Sequence, residues 1–333
     1  MCRGGPLPAG QGLIGHVMSF AAWNGEAMTV HQHLISYGGV QVVEFGHDLT
    51  PPEVAGVAWA IRTHYDGDPF GEVFGRFMET VDTTAVTHLI FGYWGSGYET
   101  SSAGPLQMLV DAAPRLPSLK AIFFGDIVSE EDEISWITQC DVTPLLHAYP
   151  KLERLDVRGG NELALSAVSS TALKVLRFEA GGLPAAVVRA VGASDLPNLV
   201  TLELWLGVQD YGGDATVADL AAILGGERLL SLRRLGLMDS EIQDEICAVV
   251  ATAPVVARLS ELALSMGVLT DDGAEALLSG QPLTHLQELD LRHHYLTTPM
   301  AARLQASLPQ VSLLIDESKL DEGRDWRYVA VGE

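Results

Sequence analysis

The segment PNLVTLEL, residues 197–204, carries a pattern that recurs through most of this 333-residue chain. Its leucines stand at positions 199, 202 and 204. The same apolar-x-x-apolar-x-apolar spacing occurs in PKLERLDV (150–157), TALKVLRF (171–178), LSLRRLGL (230–237), ARLSELAL (257–264) and THLQELDL (284–291). Because these copies follow one another at intervals of 21 to 33 residues, the chain contains an internal repeat.

The repeat extends beyond these copies in both directions. Upstream matches begin at Val86 and Leu119, and a weaker match begins at Val40. The last copy begins at Val311, but Asp316 takes its third apolar position. We therefore predict one domain with four parts. These are a disordered lead-in (1–17), an N-terminal cap with a divergent first strand (18–83), the repeat array (84–316) and a C-terminal cap or tail (317–333).

Each repeat predicts a strand followed by a returning segment that is mostly helical. Alternate residues of a strand face the same side, so stacked copies bury their leucines together in a parallel sheet. Helix-start signals stand between the strands, where Ser, Thr or Asp precedes an apolar periodic run or Pro takes the first helical position. They predict helices from Thr50–Glu53, after Pro184, over 215–224 after Asp214, from Ser240–Gln243, from Thr270 or Asp271, and over 299–307 after Thr298.

This pattern resembles the leucine-rich repeat of the ribonuclease-inhibitor-like class. The resemblance implies an α/β solenoid shaped as a curved horseshoe, with the parallel sheet on the concave face and helices on the convex face. The departure lies in the turn after each strand, where Gly, Asp or Ser replaces the usual Asn in most copies.

A second resemblance covers nearly the whole chain. The stretches EEDEISWITQCDVTPLLHAYPKLERLDVRGG (130–160), GGDATVADL (212–220) and RYVAVGE (327–333) are similar to an uncharacterised bacterial cytosolic leucine-rich-repeat family. That family brings no catalytic residues with it. The reported proximity of its genes to those of radical-SAM and sulfatase-like enzymes implies an accessory role in a biosynthetic system.

Composition restricts the class of partner. With 20 basic and 43 acidic residues the net charge is −23, which disfavours nucleic acid as a partner. Three widely spaced cysteines, Cys2, Cys140 and Cys247, form no disulfide framework and no Cys-x-x-Cys pair. The first residues lack the apolar segment of a secretory signal, and no apolar run approaches the length of a membrane span. We predict a cytoplasmic protein that does not bind membranes.

The strand positions between the leucines predict a polar surface on the concave face. At one position of the template, three successive copies carry Asp156, Arg177 and Glu203. Two residues further along each copy, they carry Arg158, Glu179 and Trp205. Charges of alternating sign on neighbouring strands either neutralise one another or form a recognition patch anchored by Trp205. The residues predicted to contact a partner are Asp156, Arg158, Arg177, Glu179, Glu203, Trp205, Asp290, Arg292 and His293.

Other clusters carry weaker signals. The Gly-rich loop FGYWGSGYET (91–100) presents aromatic residues that either form a contact site or pack inside. Acidic residues 130–133 lack the spacing of a calcium loop, and the His31/His33 and His293/His294 pairs lack further metal ligands. Cys140 and His147 stand too far apart along a helix, about 10 Å, to form a nucleophile–base pair.

We therefore predict a non-catalytic scaffold, without a cofactor or metal, that binds a protein partner of unknown identity through its concave face. Solenoids offer wide surfaces suited to this role. The alternative is an accessory subunit that binds a small molecule or presents a substrate, with a pocket formed by Tyr93, Trp94, Phe123 and Trp205.

Overall fold

The structure is a computed structural model that describes residues 20–21, 27–28, 30–46, 56–96, 100–320 and 326–332. Within those ranges it contains fourteen strands, β1 to β14. In chain order they are Phe20–Ala21, Ala27–Met28, Ser36–Tyr37, Val40–Glu44, Val57–Ile61, His88–Gly92, Ala121–Asp126, Arg154–Arg158, Val175–Glu179, Thr201–Gly207, Arg234–Ser240, Glu261–Ala263, Glu288–Asp290 and Ser312–Leu314.

The described residues also form eight α-helices, α1 to α8. In chain order they are Phe70–Thr80, Ala103–Asp111, Thr143–Ala148, Ala185–Ala193, Ala221–Gly225, Gln243–Val250, Asp271–Ser279 and Thr298–Ser307. Short 3-10 helices at Thr83–Ala85, Ala113–Arg115, Gln209–Tyr211 and Pro254–Arg258 complete several connections. None of the helices in these ranges is both long and apolar enough to cross a membrane.

Strands β3 to β14 form one open, twelve-stranded sheet in which the spatial order follows the chain order. Every neighbouring pair from β4 to β14 is parallel, and only the β3–β4 hairpin is antiparallel. The predicted α/β class with a parallel sheet is therefore confirmed, and the arrangement is solenoid-like. Strands β1 and β2 pair separately as a two-stranded sheet.

The leucines of the repeat stand side by side across the sheet. Leu176 pairs with Leu155 on one side and Leu202 on the other, and the row continues through Leu235 and Leu262. All five side chains are at most 1% exposed. Burial of each stabilises the fold by about 1.5–3 kcal/mol, so this face of the sheet, here called the leucine face, forms the main core.

Two strands of this sheet escaped the sequence pattern, the short β3 and the longer β5. Strand β5 lies between β4 and β6, with Trp59 paired to Val43 and Leu89. Gly56 stands where the template requires an apolar residue, so the match fails although Trp59 and Ile61 are fully buried. The sheet thus continues through residues predicted as an N-terminal cap.

Several predicted helices form where their start signals stand. Helices α4 and α6 follow Pro184 and Ser240, and Thr270 caps α7 by accepting a hydrogen bond from the backbone N–H of Asp272. For α8 the predicted cap Thr298 is wrong, because Thr297 accepts the bond from the N–H of Met300. The signal at Thr50–Glu53 lies outside the described residues.

The helix predicted over 215–224 is shorter in the structure. Helix α5 spans only Ala221–Gly225. The expected cap, Asp214, instead accepts a 2.6 Å hydrogen bond from the backbone N–H of Ala185, at the start of α4 in the preceding repeat. Asp214 therefore forms a hydrogen bond to the neighbouring repeat in place of the predicted cap of its own helix.

The second face of the sheet, here called the polar face because it bears Asp156, Arg177 and Glu203, is partly covered. Tyr37 lies against Phe123 and His88, with ring centroids 6.0 and 6.1 Å away. Together with Ala58, Ala60 and Ile90 it forms a second, smaller apolar cluster. Residues 30–39 therefore cover the polar face of β5 to β7.

Candidate functional site

The charged residues predicted from the repeat lie in register on the polar face. Arg177 on β9 pairs with Asp156 on β8 and with Glu203 on β10. Its Nε lies 2.7 Å from Glu203 Oε2 and 3.4 Å from Asp156 Oδ1. The predicted alternating ladder is present, and all three side chains are at most 3% exposed.

The two carboxylates of this ladder differ in their surroundings. Burial acts to raise the pKa of Asp156, but Arg154 and Arg177 outweigh it and the pKa is lowered. Asp156 also accepts a 2.8 Å hydrogen bond from the hydroxyl of Tyr37. Burial raises the pKa of Glu203, and the opposing effect of Arg177, the cation that counters it most strongly, does not outweigh it. Ionisation of Glu203 therefore depends mainly on Arg177.

A second row runs parallel to the first. Arg158 Nε lies 2.7 Å from Glu179 Oε2, and the guanidinium also donates a 2.9 Å hydrogen bond to the carbonyl of Ile127. The Nη1 atom of Arg158 lies 3.8 Å from Asp126 Oδ1. The other oxygen of Asp126 lies 2.9 Å from Arg62 Nη2. The indole of Trp205, next in line, is 1% exposed. The charged side chains of this row therefore link β7, β8 and β9.

His33 joins this network from the covering segment. Its Nδ1 lies 3.4 Å from Asp126 and its Nε2 lies 3.2 Å from Glu131. Burial disfavours the charged imidazole, but the bonds to the two carboxylates raise the pKa of His33 to about 9. At neutral pH the protonated ring therefore ties residues 30–39 to the loop that follows β7.

This ion pair predicts a pH-dependent contribution to stability. A pKa raised from 6.5 to about 9 gives stabilisation that is complete below 6.5 and disappears as the pH rises through about 9. Urea denaturation of the wild type and of His33→Gln, measured from neutral to alkaline pH, tests it. We expect the difference in free energy of unfolding between the two proteins to shrink with pH. A difference independent of pH would contradict the assignment.

The third predicted group lies under the C-terminal segment. Arg292 holds Asp290 through two hydrogen bonds of 2.9 and 2.7 Å, and both residues are at most 7% exposed. His293 is fully buried, with Nε2 2.9 Å from the carbonyl of Tyr328. The nine predicted contact residues are thus all buried in the structure.

Residues 328–331 cross three successive strand ends. The N–H of Val331 donates to Asp239 Oδ1 at 2.9 Å, and the N–H of Ala330 donates to the carbonyl of Met266 at 2.7 Å. Asp239, Met266 and His293 each have a left-handed backbone, with φ of 55°, 70° and 54°. These uncommon conformations therefore coincide with the contacts that hold the C-terminal segment.

The aromatic residues proposed as a pocket lie on different sides of the sheet. Tyr93 and Trp94 are 5% and 4% exposed and belong to the main core. Phe123 packs with Tyr37 in the smaller cluster on the polar face. Of the two interpretations of the Gly-rich loop, packing inside the protein therefore holds for Tyr93 and Trp94. Tyr98 lies outside the described residues.

The two cysteines among the described residues lie in surroundings that disfavour the thiolate. Burial raises the pKa of the Cys140 thiol, which accepts a hydrogen bond from the Ser102 hydroxyl at 3.1 Å. Cys247 is fully buried, and burial raises the pKa of its thiol too. In the parts of the chain that the structure describes, no group of three or more His, Cys, Asp or Glu side chains is placed to hold a metal ion.

Two exposed aromatic residues lie at the carboxyl-terminal edge of the sheet. Tyr65 follows β5 and is 90% exposed, and Trp136 follows β7 and is 49% exposed. Burial is the main cause that raises the pKa of Tyr93, and the charges of Asp132, Glu131 and Tyr65 raise it further. Sequence reasoning did not single out Tyr65, because no periodicity marks a loop residue.

The opposite, amino-terminal edge carries a cleft that the sequence analysis also missed. A cavity of about 480 Å³ opens at the starts of β6 to β9 beside the Gly38–Gly39 turn. Its walls include Lys120, Glu153 and Lys174, which occupy one position in successive repeats. That repeating position was a signal available in the sequence.

These features define a leucine-rich-repeat-like α/β protein with a braced polar face. No model of a known protein family matches the chain, and no curated protein matches it. Among solved structures, a protein from Bacteroides fragilis is 29% identical, with a TM-score of 0.72 over 82% of this chain and 77% of that one. An internalin from Listeria monocytogenes is 14% identical over 79% of this chain and 86% of that one, with a TM-score of 0.26.

Proposed function

We propose that this protein is a non-catalytic scaffold that binds a protein partner at the carboxyl-terminal edge of its sheet. We further propose that the chain is a leucine-rich-repeat solenoid of the ribonuclease-inhibitor-like class, curved with its polar face inward. The observation that carries the binding proposal is the exposure of Tyr65 and Trp136 in two loops at this edge of the sheet. Tyr and Trp are favoured anchors of protein interfaces.

The charge around these aromatics specifies the kind of partner. Asp66 is exposed beside Tyr65, and Glu130 is exposed in the loop that carries Trp136. The whole chain carries a net charge of −23. A segment rich in Lys and Arg would complement these carboxylates and could place its cations over the aromatic rings. The proposed partner therefore presents a basic segment.

The second row of buried charges supports this role without contacting the partner. Arg62, just after β5, pairs with Asp126 at the end of β7, and Asp126 lies 3.8 Å from Arg158 on β8, so the loops that leave β5 and β7 start from a rigid frame. A rigid frame lowers the entropy lost when loop residues bind. On this proposal these buried charges position the interface, while the loop residues touch the partner.

Recovery of partners from native cells tests the proposal. We expect Tyr65→Ala combined with Trp136→Ala to lose a protein that the wild type captures, with little change in stability because both side chains are exposed. Leu230→Ala is the matched control, since Leu230 is 60% exposed in the turn before β11, on the other edge. A captured protein should also elute with salt. Equal recovery by all three proteins would contradict the proposal.

A further inference from the structure

We propose that the cleft at the amino-terminal edge of the sheet binds a small molecule that carries an oxyanion, either a carboxylate or a phosphate. This site lies on the edge opposite Tyr65 and Trp136, so the inference does not depend on the proposed function. Its volume of about 480 Å³ falls within the range of small-molecule sites.

The charge of the cleft favours an anion. Lys120 Nζ lies 3.0 Å from one oxygen of Glu153, and Lys174 Nζ lies 2.6 Å from the other. Two ammonium groups therefore share a single carboxylate, and they lower the pKa of Glu153. Only four lysines occur in the chain, and the fold brings two of them together here. The pair is a local positive excess on a strongly acidic protein.

Arg154 adds a third cation to the wall of the cleft. It is 7% exposed, bonds Asp156 through Nε at 2.6 Å and lies over the Tyr37 ring at 4.5 Å. These contacts hold the guanidinium in one orientation. The lysines differ, because their side chains are 56% exposed and can turn toward a ligand at little cost. The arrangement combines one fixed cation with two adjustable ones.

The uncharged part of the cleft indicates what the anion is attached to. Ala121 and Val175 supply apolar surface, and the Gly38–Gly39 turn closes one side. Gly38 has a φ of 61°, and a Cβ placed there would lie 2.6 Å from Nε2 of His88. Glycine therefore keeps the turn close to β6. A flat or slender apolar body with an oxyanion at one end fits such walls.

Calorimetric titration of the whole protein with phenyl phosphate, benzoate and benzyl alcohol tests the inference. We expect at least one anion to bind and the neutral alcohol not to bind. Binding of phenyl phosphate alone assigns a phosphate ligand, binding of benzoate alone assigns a carboxylate ligand, and binding of both assigns the oxyanion in general. Absence of binding by both anions at millimolar concentration would overturn the inference.

Three variants locate the binding. Replacing Lys120 and Lys174 by Met should weaken binding of the anion about tenfold for each ammonium removed, which is the usual effect of losing a hydrogen bond to a charged group. Lys151→Met is the matched control, because Lys151 does not line the cleft, and it should bind as the wild type does. Glu153→Gln should bind several-fold more tightly, because it releases both ammonium groups. Equal affinity in all variants, with unchanged unfolding midpoints, would place the anion elsewhere and sink the proposal.

Discussion

Replacing Arg177 by Met is expected to destabilise the protein by about 3–5 kcal/mol, the usual cost of breaking a buried ion pair from one side. Arg177 is 3% exposed and contacts Asp156, Glu203 and Glu179. Asp156 keeps Arg154 and Glu179 keeps Arg158, but Glu203 loses its ion-pair partner. The measurement is the free energy of unfolding from urea denaturation.

Two further variants separate charge from packing. Arg189→Met removes a surface ion pair with Asp219 whose arginine is 58% exposed, and it should cost at most about 1 kcal/mol. Adding Glu203→Gln to Arg177→Met should recover much of the loss, because the stranded carboxylate is removed. If Arg177→Met proves as stable as Arg189→Met, the ladder does not brace the sheet.

Replacing Gly207 by Ala is expected to cost about 3–5 kcal/mol, combining left-handed strain with overlap in a packed interior. Gly207 ends β10 with a φ of 69°, and an added Cβ would lie only 1.9 Å from the carbonyl oxygen of Gly181. That carbonyl is held in place, since it accepts a 2.8 Å hydrogen bond from the N–H of Val208. Backbone at both positions would have to move.

Gly75→Ala provides the matched control for this glycine. Gly75 lies within α1, its added Cβ would meet nothing within 4 Å, and alanine should stabilise the helix by up to about 1 kcal/mol. The two variants should therefore shift the unfolding midpoint in opposite directions. Similar midpoints for Gly207→Ala and Gly75→Ala would show that the two chain segments do not approach so closely.

The close glycines also explain why the repeat departs from the usual turn. Where an asparagine side chain would bond neighbouring turns, Gly207 and Gly181 let the backbones of adjacent repeats bond directly, as in the Val208-to-Gly181 hydrogen bond. The substitution was visible in the sequence. Its consequence was not, because it depends on the distance between segments 26 residues apart.

The charge ladder was predictable for a simple reason. Strands that keep their leucines in register must also keep the intervening residues in register, so Asp156, Arg177 and Glu203 had to meet. Strand β5 was missed at Gly56, since a template built on side chains fails where a glycine stands. The unbroken apolar run VAWAI (57–61), in which Ala58 to Ile61 are fully buried, is the signal that would have marked it as a buried strand.

Local periodicity was sufficient for most of the strand positions, the α/β class and the row of paired charges, because each follows from the spacing of residues along a single repeat. Whether those charges face water was settled by segments far away in the chain. Tyr37 reaches Asp156 across 119 positions, and Val331 reaches Asp239 across 92. Such docking depends on the shape of the assembled sheet, which no short stretch of residues encodes. The cleft at Lys120 and Lys174 likewise exists only because the Gly38–Gly39 turn is brought beside it.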